Sequence, residues 1–290
     1  MRKLLLQLDT SPHPSVFDRV VAYDAGADEI MSCSGVTEEN VRDLVHGAIF
    51  TRGPKDLHNT AIFIGGTEMA AGEQLLKVVR ETFFGPMRVS VMLDSNGSNT
   101  TAVAAVVKLQ EAGDVRDRRS VVTAATGPVG MRAAGLLAQA GAHVTVTSRR
   151  PQGGAQLVED IKQRFSSTVH AVTMADASQA AGVLEGCELL LSAGGFGVRL
   201  VPRDAWAKRP GLRAAADVNA VPPLGIEGIE ATDNGVDREG VKAFGALGIG
   251  GLKMKLHKAC IARLFERNDL VLDAESILEV ARSLSPLKAS

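Results

Sequence analysis

The chain reads as an α/β protein with mostly parallel sheets, organised in two domains. Short apolar, β-rich runs alternate with helical patterns almost throughout, the signature of strands joined by crossover helices. At 290 residues the chain exceeds the usual domain of about 100–200 residues. Thirty glycines are more than helix and strand interiors accommodate, and they fit a series of tight strand-to-helix turns. Hydrophobic residues make up 45% of the chain, enough for a sizeable core. One Trp and one Tyr mean that Val, Leu, Ile and Ala must fill most of it.

The first part predicts strands over 3–8, 28–33, 60–65 and 87–93, with helices over 15–25, 37–48 and 69–82. A further helix begins near Ser98, after the turn and cap residues Asn96-Gly97-Ser98. The polar stretch from Gly113 to Arg119 marks the expected boundary. Beyond it, strands are expected over 120–125, 142–147, 168–173, 187–192 and 213–218. The closing region, 248–290, reads as two helices, about 250–266 and 273–284, with no strand after them. Terminal helices without a sheet of their own pack back on the first domain. The expected division is therefore 1–113 with 262–290, and 114–261.

A formal charge of −1 gives no electrostatic case for nucleic acid or an anionic membrane. Cys33, Cys187 and Cys260 lie far apart without CxxC spacing, which argues against a zinc site or a disulfide framework. The opening Met1–Asp9 resembles a secretory leader, but Gln7 and Asp9 interrupt its apolar run, so a buried first strand is expected. With no apolar run of membrane-spanning length, a cytoplasmic protein is expected.

The segment from Ser120 to Gly135 is an apolar strand, a tight turn and an Ala-rich helix. Ala125-Thr126-Gly127-Pro128-Val129-Gly130 matches the dinucleotide fingerprint G-x-G-x-x-G at two of its three glycines. Gly127 would let the backbone approach a pyrophosphate, and Gly130 would permit close helix–strand packing. Pro128 suits the first helical turn, where its missing N–H is no loss. The remaining N–H groups and the helix dipole then attract the anion. A second strand follows and runs into Ser148-Arg149-Arg150. An NAD site usually has an acid there for the ribose hydroxyl. A hydroxyl and two guanidinium groups suit a 2′-phosphate instead, so the expected cofactor is NADP. Ser192-Ala-Gly194-Gly-Phe-Gly197, after another apolar strand, reads either as a plain turn or as a lining for the nicotinamide half.

Further stretches carry a resemblance. They are Asp94-Ser-Asn-Gly-Ser-Asn-Thr-Thr101, Asp217-Val-Asn-Ala-Val-Pro-Pro-Leu-Gly225 and Phe244 to His257, with Thr10-(x)3-Pro14-Ser-Val-Phe-Asp18 and Thr51-Arg-Gly53. Together with the cofactor turn they resemble the bacterial NADP-dependent methylene-tetrahydromethanopterin dehydrogenases of one-carbon metabolism, over essentially the whole chain. The resemblance implies a catalytic α/β domain beside a Rossmann domain. It implies oxidation of methylene-tetrahydromethanopterin, or the analogous tetrahydrofolate, to the methenyl form. It also implies a homo-oligomer, a trimer or hexamer. Ala125 departs from the glycine of these relatives and would tighten the turn.

Hydride loss from an N–CH2–N carbon needs no general base, because the flanking nitrogen lone pairs expel the hydride and leave a stabilised amidinium cation. Positioning dominates: the carbon must come within roughly 3–3.5 Å of the nicotinamide C4. Asp18 is a candidate for stabilising the developing cation, though Ser15-Val-Phe-Asp18 also reads as a capping box. Lys253 and Lys255 are expected in the first turns of a helix starting at Gly250-Gly251, where cations oppose the dipole and so suggest a use. The resemblance favours Lys255, with Lys253 second. Asp94, Asn96, Ser98 and Asn99 suit hydrogen bonding to a pterin ring or helix capping alone. Asn219 is placed to meet the nicotinamide or the pterin. His257, on the Lys253 helix, reads as a packed or surface residue.

Three other functions compete. The bifunctional folate dehydrogenase/cyclohydrolases carry Tyr-(x)3-Lys, whereas Tyr23 is followed by Ala27, which argues against a cyclohydrolase. A non-catalytic NADP-binding scaffold would not need the candidate catalytic groups to converge. A quinate/shikimate-type dehydrogenase shares the architecture but requires a Lys–Asp pair.

Overall fold

The computed structural model describes residues 1–284. The chain runs β1 (Leu4–Asp9), α1 (Val16–Asp24), β2 (Glu29–Cys33), α2 (Val41–Ile49), β3 (Thr60–Gly65), α3 (Met69–Thr82), β4 (Ser90–Leu93) and α4 (Ser98–Gln110). It continues through β5 (Arg119–Thr123), α5 (Pro128–Gln139), β6 (His143–Ser148), α6 (Pro151–Phe165), β7 (His170–Thr173), α7 (Ala180–Val183) and β8 (Leu189–Ser192). The last elements are α8 (Arg203–Trp206), β9 (Ala214–Asp217), β10 (Asn234–Arg238), β11 (Val241–Phe244), α9 (Ala246–Arg263), β12 (Val271–Leu272) and α10 (Ala274–Leu284).

Two compact units result, residues 1–100 with 254–284 and residues 101–253. The first holds a five-stranded sheet of order β12-β4-β3-β1-β2, parallel throughout. Strands β1, β3 and β4 are buried on both faces, which is why they read as near-continuous apolar runs. The two polar residues inside β1 are buried but bonded. Gln7 donates to Ser15 O and accepts from Ser32, while Asp9 accepts from the Ser11 and Ser15 N–H groups. The residues that break the apolar opening therefore anchor the approach to α1.

The second unit is a seven-stranded sheet of order β10-β11-β9-β8-β5-β6-β7, with only β10 antiparallel. Counted from β5, strands β7-β6-β5-β8-β9-β11 follow the order 3-2-1-4-5-6 of dinucleotide-binding sheets, reversing between β5 and β8. Its core gathers Val121, Leu190, Ala215, Trp206 and Ile226.

Several expectations shift. The predicted strand 87–93 starts at Ser90, because Phe84 and Met87 exchange backbone bonds in a tight turn first. The predicted helix 37–48 starts at Val41, because Asn40 Oδ1 accepts from Thr37 N and shapes a preceding turn. The 250–266 helix begins four residues earlier, at Ala246. Strand β12 lies between the terminal helices and pairs with β4, where the sequence suggested only helices. The unit boundaries fall inside α4 and α9 rather than at 113/114 and 261/262. A continuous helix has no composition break at such a point, so the polar Gly113–Arg119 stretch marks the end of α4 instead. Residues 285–290 of the expected first-domain segment lie outside the described residues. Among the described residues no helix is long and apolar enough to cross a membrane, and no three His, Cys, Asp or Glu side chains gather as metal ligands.

Candidate active site

In the second unit, β5 ends in a turn tied to β6: Ala124 N donates to Thr147 Oγ1 at 3.0 Å and Ala125 N to Thr147 O at 3.1 Å. The left-handed residue of this turn is Ala124, at φ 49°, rather than Ala125 at the first fingerprint position. Ala125 is fully buried, and a Cβ on Gly130 would stand 2.7 Å from its Cα. Only glycine at 130 therefore lets the start of α5 approach the backbone at Ala125 so closely, and the residue with positive φ is Ala124, not Ala125. Gly127 caps α5, and a Cβ there would meet nothing nearer than Ala124 O at 3.9 Å. Pro128 opens the helix, and no side chain caps it. The first-turn N–H groups therefore face an open approach beside Thr126 and Val129, suited to a pyrophosphate.

At the end of β6 the Ser148 hydroxyl accepts from Arg150 N (3.3 Å) and donates to Arg150 O (2.9 Å). This buried serine shapes the turn, leaving Arg149 and Arg150 exposed at the entry to α6. The α6 N-terminus also lacks a side-chain cap. Gly153, in its first turn, would put a Cβ 2.9 Å from Ser148 Oγ, so the helix start sits directly on that hydroxyl. The spacing gave no sign of Gly153; the paired glycines after Pro151 were the available signal.

Two loops follow β8 and β9. Ser192, the last residue of β8, is buried, while Phe196 on the glycine-rich loop is 79% exposed. A Cβ on Gly194 would strike Leu200 at 2.6 Å, so this loop turns back tightly. Asn219 is 1% exposed and its amide is engaged within its own loop: Nδ2 donates to Pro223 O and Oδ1 accepts from Val221 N. It braces the loop around the cis Pro222-Pro223 bond. Asp217 is buried, and that burial pushes its carboxyl pKa up against the opposing backbone hydrogen bonds.

In the first unit, Asp18 and the β4–α4 turn lie at the carboxyl edge of β3 and β4, the edge at which open parallel sheets bind ligands. Ser15 Oγ accepts from Asp18 N at 3.2 Å, the cap the sequence suggested. The Asp18 carboxylate is not on an open helix face. Its side chain is 14% exposed, and Oδ1 stands 4.0 Å from His257 Nε2. A Cβ on Gly65, at the end of β3, would lie 3.8 Å from Asp18 Oδ2. His257 is fully buried and stacks on Phe63, with ring centroids 5.5 Å apart and planes 20° apart. Its neighbour Phe17 is 6.2 Å away, centroid to centroid. The sequence had no means to pair His257 with Asp18, because 239 positions of chain separate them.

The β4–α4 turn divides its four candidates. Asp94 accepts from Thr100 N (3.0 Å) and Thr100 Oγ1 (2.6 Å), and Asn99 Nδ2 donates to Leu93 O. Both shape the helix start. Ser98 is buried. Asn96 alone is exposed, held at φ 54° with its N–H donating to Gly66 O. The lysines differ as well. Because α9 starts at Ala246, Lys253 and Lys255 lie about two turns inside it, and the dipole argument for them does not hold. Lys255 is exposed and Lys253 half-buried.

The fold is similar to the ligand-free 5-ketofructose reductase of Gluconobacter sp. strain CHM43, with a TM-score of 0.54, 16% identity, and coverage of 98% of this chain and 99% of that one. Shikimate 5-dehydrogenase from Listeria monocytogenes gives the same TM-score at 14% identity, covering 98% and 96%. At such identities the likeness concerns fold alone, and the class it defines is that of α/β proteins with a Rossmann-type sheet. The sequence goes further. The family described as methylene-tetrahydromethanopterin dehydrogenase, N-terminal, matches residues 16–96. Two proteins of Methylorubrum extorquens strain AM1 match nearly end to end. The "bifunctional protein MdtA" is 49% identical over 98% of this chain and 99% of its own length. The "NAD(P)-dependent methylenetetrahydromethanopterin dehydrogenase" is 32% identical over 97% and 98%. This chain belongs to the methylene-tetrahydromethanopterin dehydrogenase family.

Proposed function

We propose that this protein oxidises methylene-tetrahydromethanopterin to the methenyl form with NADP, and accepts methylene-tetrahydrofolate as an analogue. The observation that carries the cofactor half is the end of β6, where Ser148 folds the turn and leaves two exposed guanidinium groups beside an uncapped helix start. No acid stands there to favour a free 2′-hydroxyl. Arg149, the nearer to the strand, is the 2′-phosphate ligand, with Arg150 and the α6 N–H groups beside it. The α5 N-terminus and Gly127 hold the pyrophosphate. NADP supplies the hydride acceptor at its nicotinamide C4.

On the pterin side, Asp18 provides a fixed carboxylate to stabilise the cation that forms as hydride leaves. Its half-buried position beside His257 and the end of β3 supports this role, since a carboxylate at a sheet's carboxyl edge faces the usual ligand position. Lys255 is the residue we assign to the substrate's polar groups, with Lys253 second, and Asn96 is the exposed donor of the β4–α4 turn. Ala27 stands four residues after Tyr23, so a cyclohydrolase step of the folate type is not part of this reading.

Initial rates of NADPH formation, measured with each methylene-pterin in turn, test the proposal. Rapid formation with the methanopterin substrate and slower formation with the folate is the expected result. No reaction with either overturns it.

A further inference from the structure

Three side chains end the central strands of the second sheet at one level. Thr123 pairs with Ser192 across β5 and β8, and Ser192 pairs with Asp217 across β8 and β9. All three are at most 1% exposed. Asp217 Oδ1 accepts from Asn219 N at 3.0 Å and Oδ2 from Ile226 N at 2.9 Å, which are the first turn and the return of the 217–226 loop. One carboxylate therefore closes that loop at both ends.

The same carboxylate reaches the neighbouring loop through Gly225. A Cβ at Gly225 would stand 2.4 Å from Ser192 Oγ, and 2.8 and 3.1 Å from the two Asp217 oxygens. The Gly225 backbone is thus pressed onto the Ser192–Asp217 pair. Its carbonyl accepts from Leu200 N and Val201 N, both at 2.9 Å, and so fixes the return of the 193–201 loop. Val201 and Ile226 continue as a parallel bridge. At the outer ends the loops are still neighbours, since a Cβ on Gly197 would lie 3.7 Å from Pro222 O. Phe196, Val198 and Val221 stand exposed there.

A buried carboxylate is costly unless its bonds are needed, and here burial works against the charged form while the backbone bonds favour it. No acid–base role calls for this group, because the hydride leaves without proton transfer. We infer that Asp217 is a positioning residue: it clamps the 193–201 and 217–226 loops into one platform at the carboxyl edge of the second sheet that sets where the nicotinamide lies. The inference rests on the dehydrogenase reading above. Asp217 itself touches neither cofactor nor substrate. It acts through the loops, so its loss displaces the reacting atoms without removing a contact from the pyrophosphate or 2′-phosphate sites.

The test compares the full-length wild-type chain with Asp217→Asn and Ser192→Ala. NADPH affinity is measured by titration, hydride transfer by single-turnover absorbance with saturating methylene-pterin, and loop order by hydrogen–deuterium exchange. Asp217→Asn is expected to slow hydride transfer about tenfold or more, because a displacement of about 1 Å is enough for a large rate loss. NADPH affinity should stay within about threefold, and the single-turnover amplitude should be retained. Backbone exchange should accelerate in both loops and not in β5 or β6. Ser192→Ala, which keeps the carboxylate, should give a smaller change of the same kind, and it carries the test if Asp217→Asn does not fold. An active wild type with unchanged transfer rate and loop exchange in the variants overturns this inference alone. So does a loss of amplitude at an unchanged rate, which signals partial unfolding. A wild type inactive with both pterins overturns the dehydrogenase reading and the positioning role together.

Discussion

Replacing Arg149 by alanine removes a guanidinium from the end of β6 and leaves the Ser148–Arg150 turn intact, because that turn is held by backbone and hydroxyl groups. A hydrogen bond to a charged group is worth about 1.5–3 kcal/mol, so KM for NADP should rise about tenfold or more. KM for NAD should hardly change. An equal rise for both cofactors would show that Arg149 does not read the phosphate. Legibility at this scale followed distance along the chain. The Ser15–Asp18 cap was readable because its partners are three residues apart. The Asp18–His257 approach was not, and neither was the internal use of Asn219, whose amide meets a carbonyl that only the folded loop brings back. Lys253 and Lys255 are not at a helix start, because α9 begins at Ala246, four residues before the Gly250-Gly251 start that the sequence suggests.

The βαβ unit is where element-level reasoning was most secure. Its strand, turn and helix obey local rules, and the one substitution in its fingerprint turned out to sit where a methyl group fits. Gly130→Ala should expose the constraint. The added carbon would stand 2.7 Å from Ala125 Cα and 3.1 Å from Ala193 Cβ, neither of which is a flexible group. Moving α5 away from β5 displaces the N–H groups that meet the pyrophosphate. We expect dinucleotide affinity to fall at least about tenfold, with a stability loss of about 1–3 kcal/mol from overpacking. Calorimetric titration and chemical unfolding measure the two effects, and wild-type affinity would refute the packing argument. The β10–β11 hairpin and β12 escaped the sequence because β10 is mostly polar and β12 is two residues long. Neither offers enough alternation to register as a strand.

Stability of the whole molecule should respond to alkali through its buried thiols. Burial pushes Cys187 from 9.0 up to about 12 and Cys260 further up, and the Cys187 thiol also donates to Leu189 O. A raised folded pKa gives stability that is fully present below the unfolded value and fades as pH climbs through the folded one. Unfolding free energy should therefore decline from about pH 9 upward, as measured by denaturant midpoints between pH 8 and 11. Cys187→Ala should flatten that decline, and a parallel decline in the variant would count against the thiol as its source. The limits of the two compact units fall inside α4 and α9, where a continuous helix leaves no mark in the sequence. Strand β12 has a further bearing, on the chain's synthesis. It pairs with β4 although Leu93 and Val271 lie about 180 residues apart. At ordinary elongation speeds a ribosome needs roughly 10–40 s to cover that distance. Throughout that interval β4 is the open margin of a growing sheet, exposing backbone groups to any neighbouring nascent strand. The second unit, encoded without interruption, can finish within the same interval. The N-terminal sheet is thus begun first and completed last.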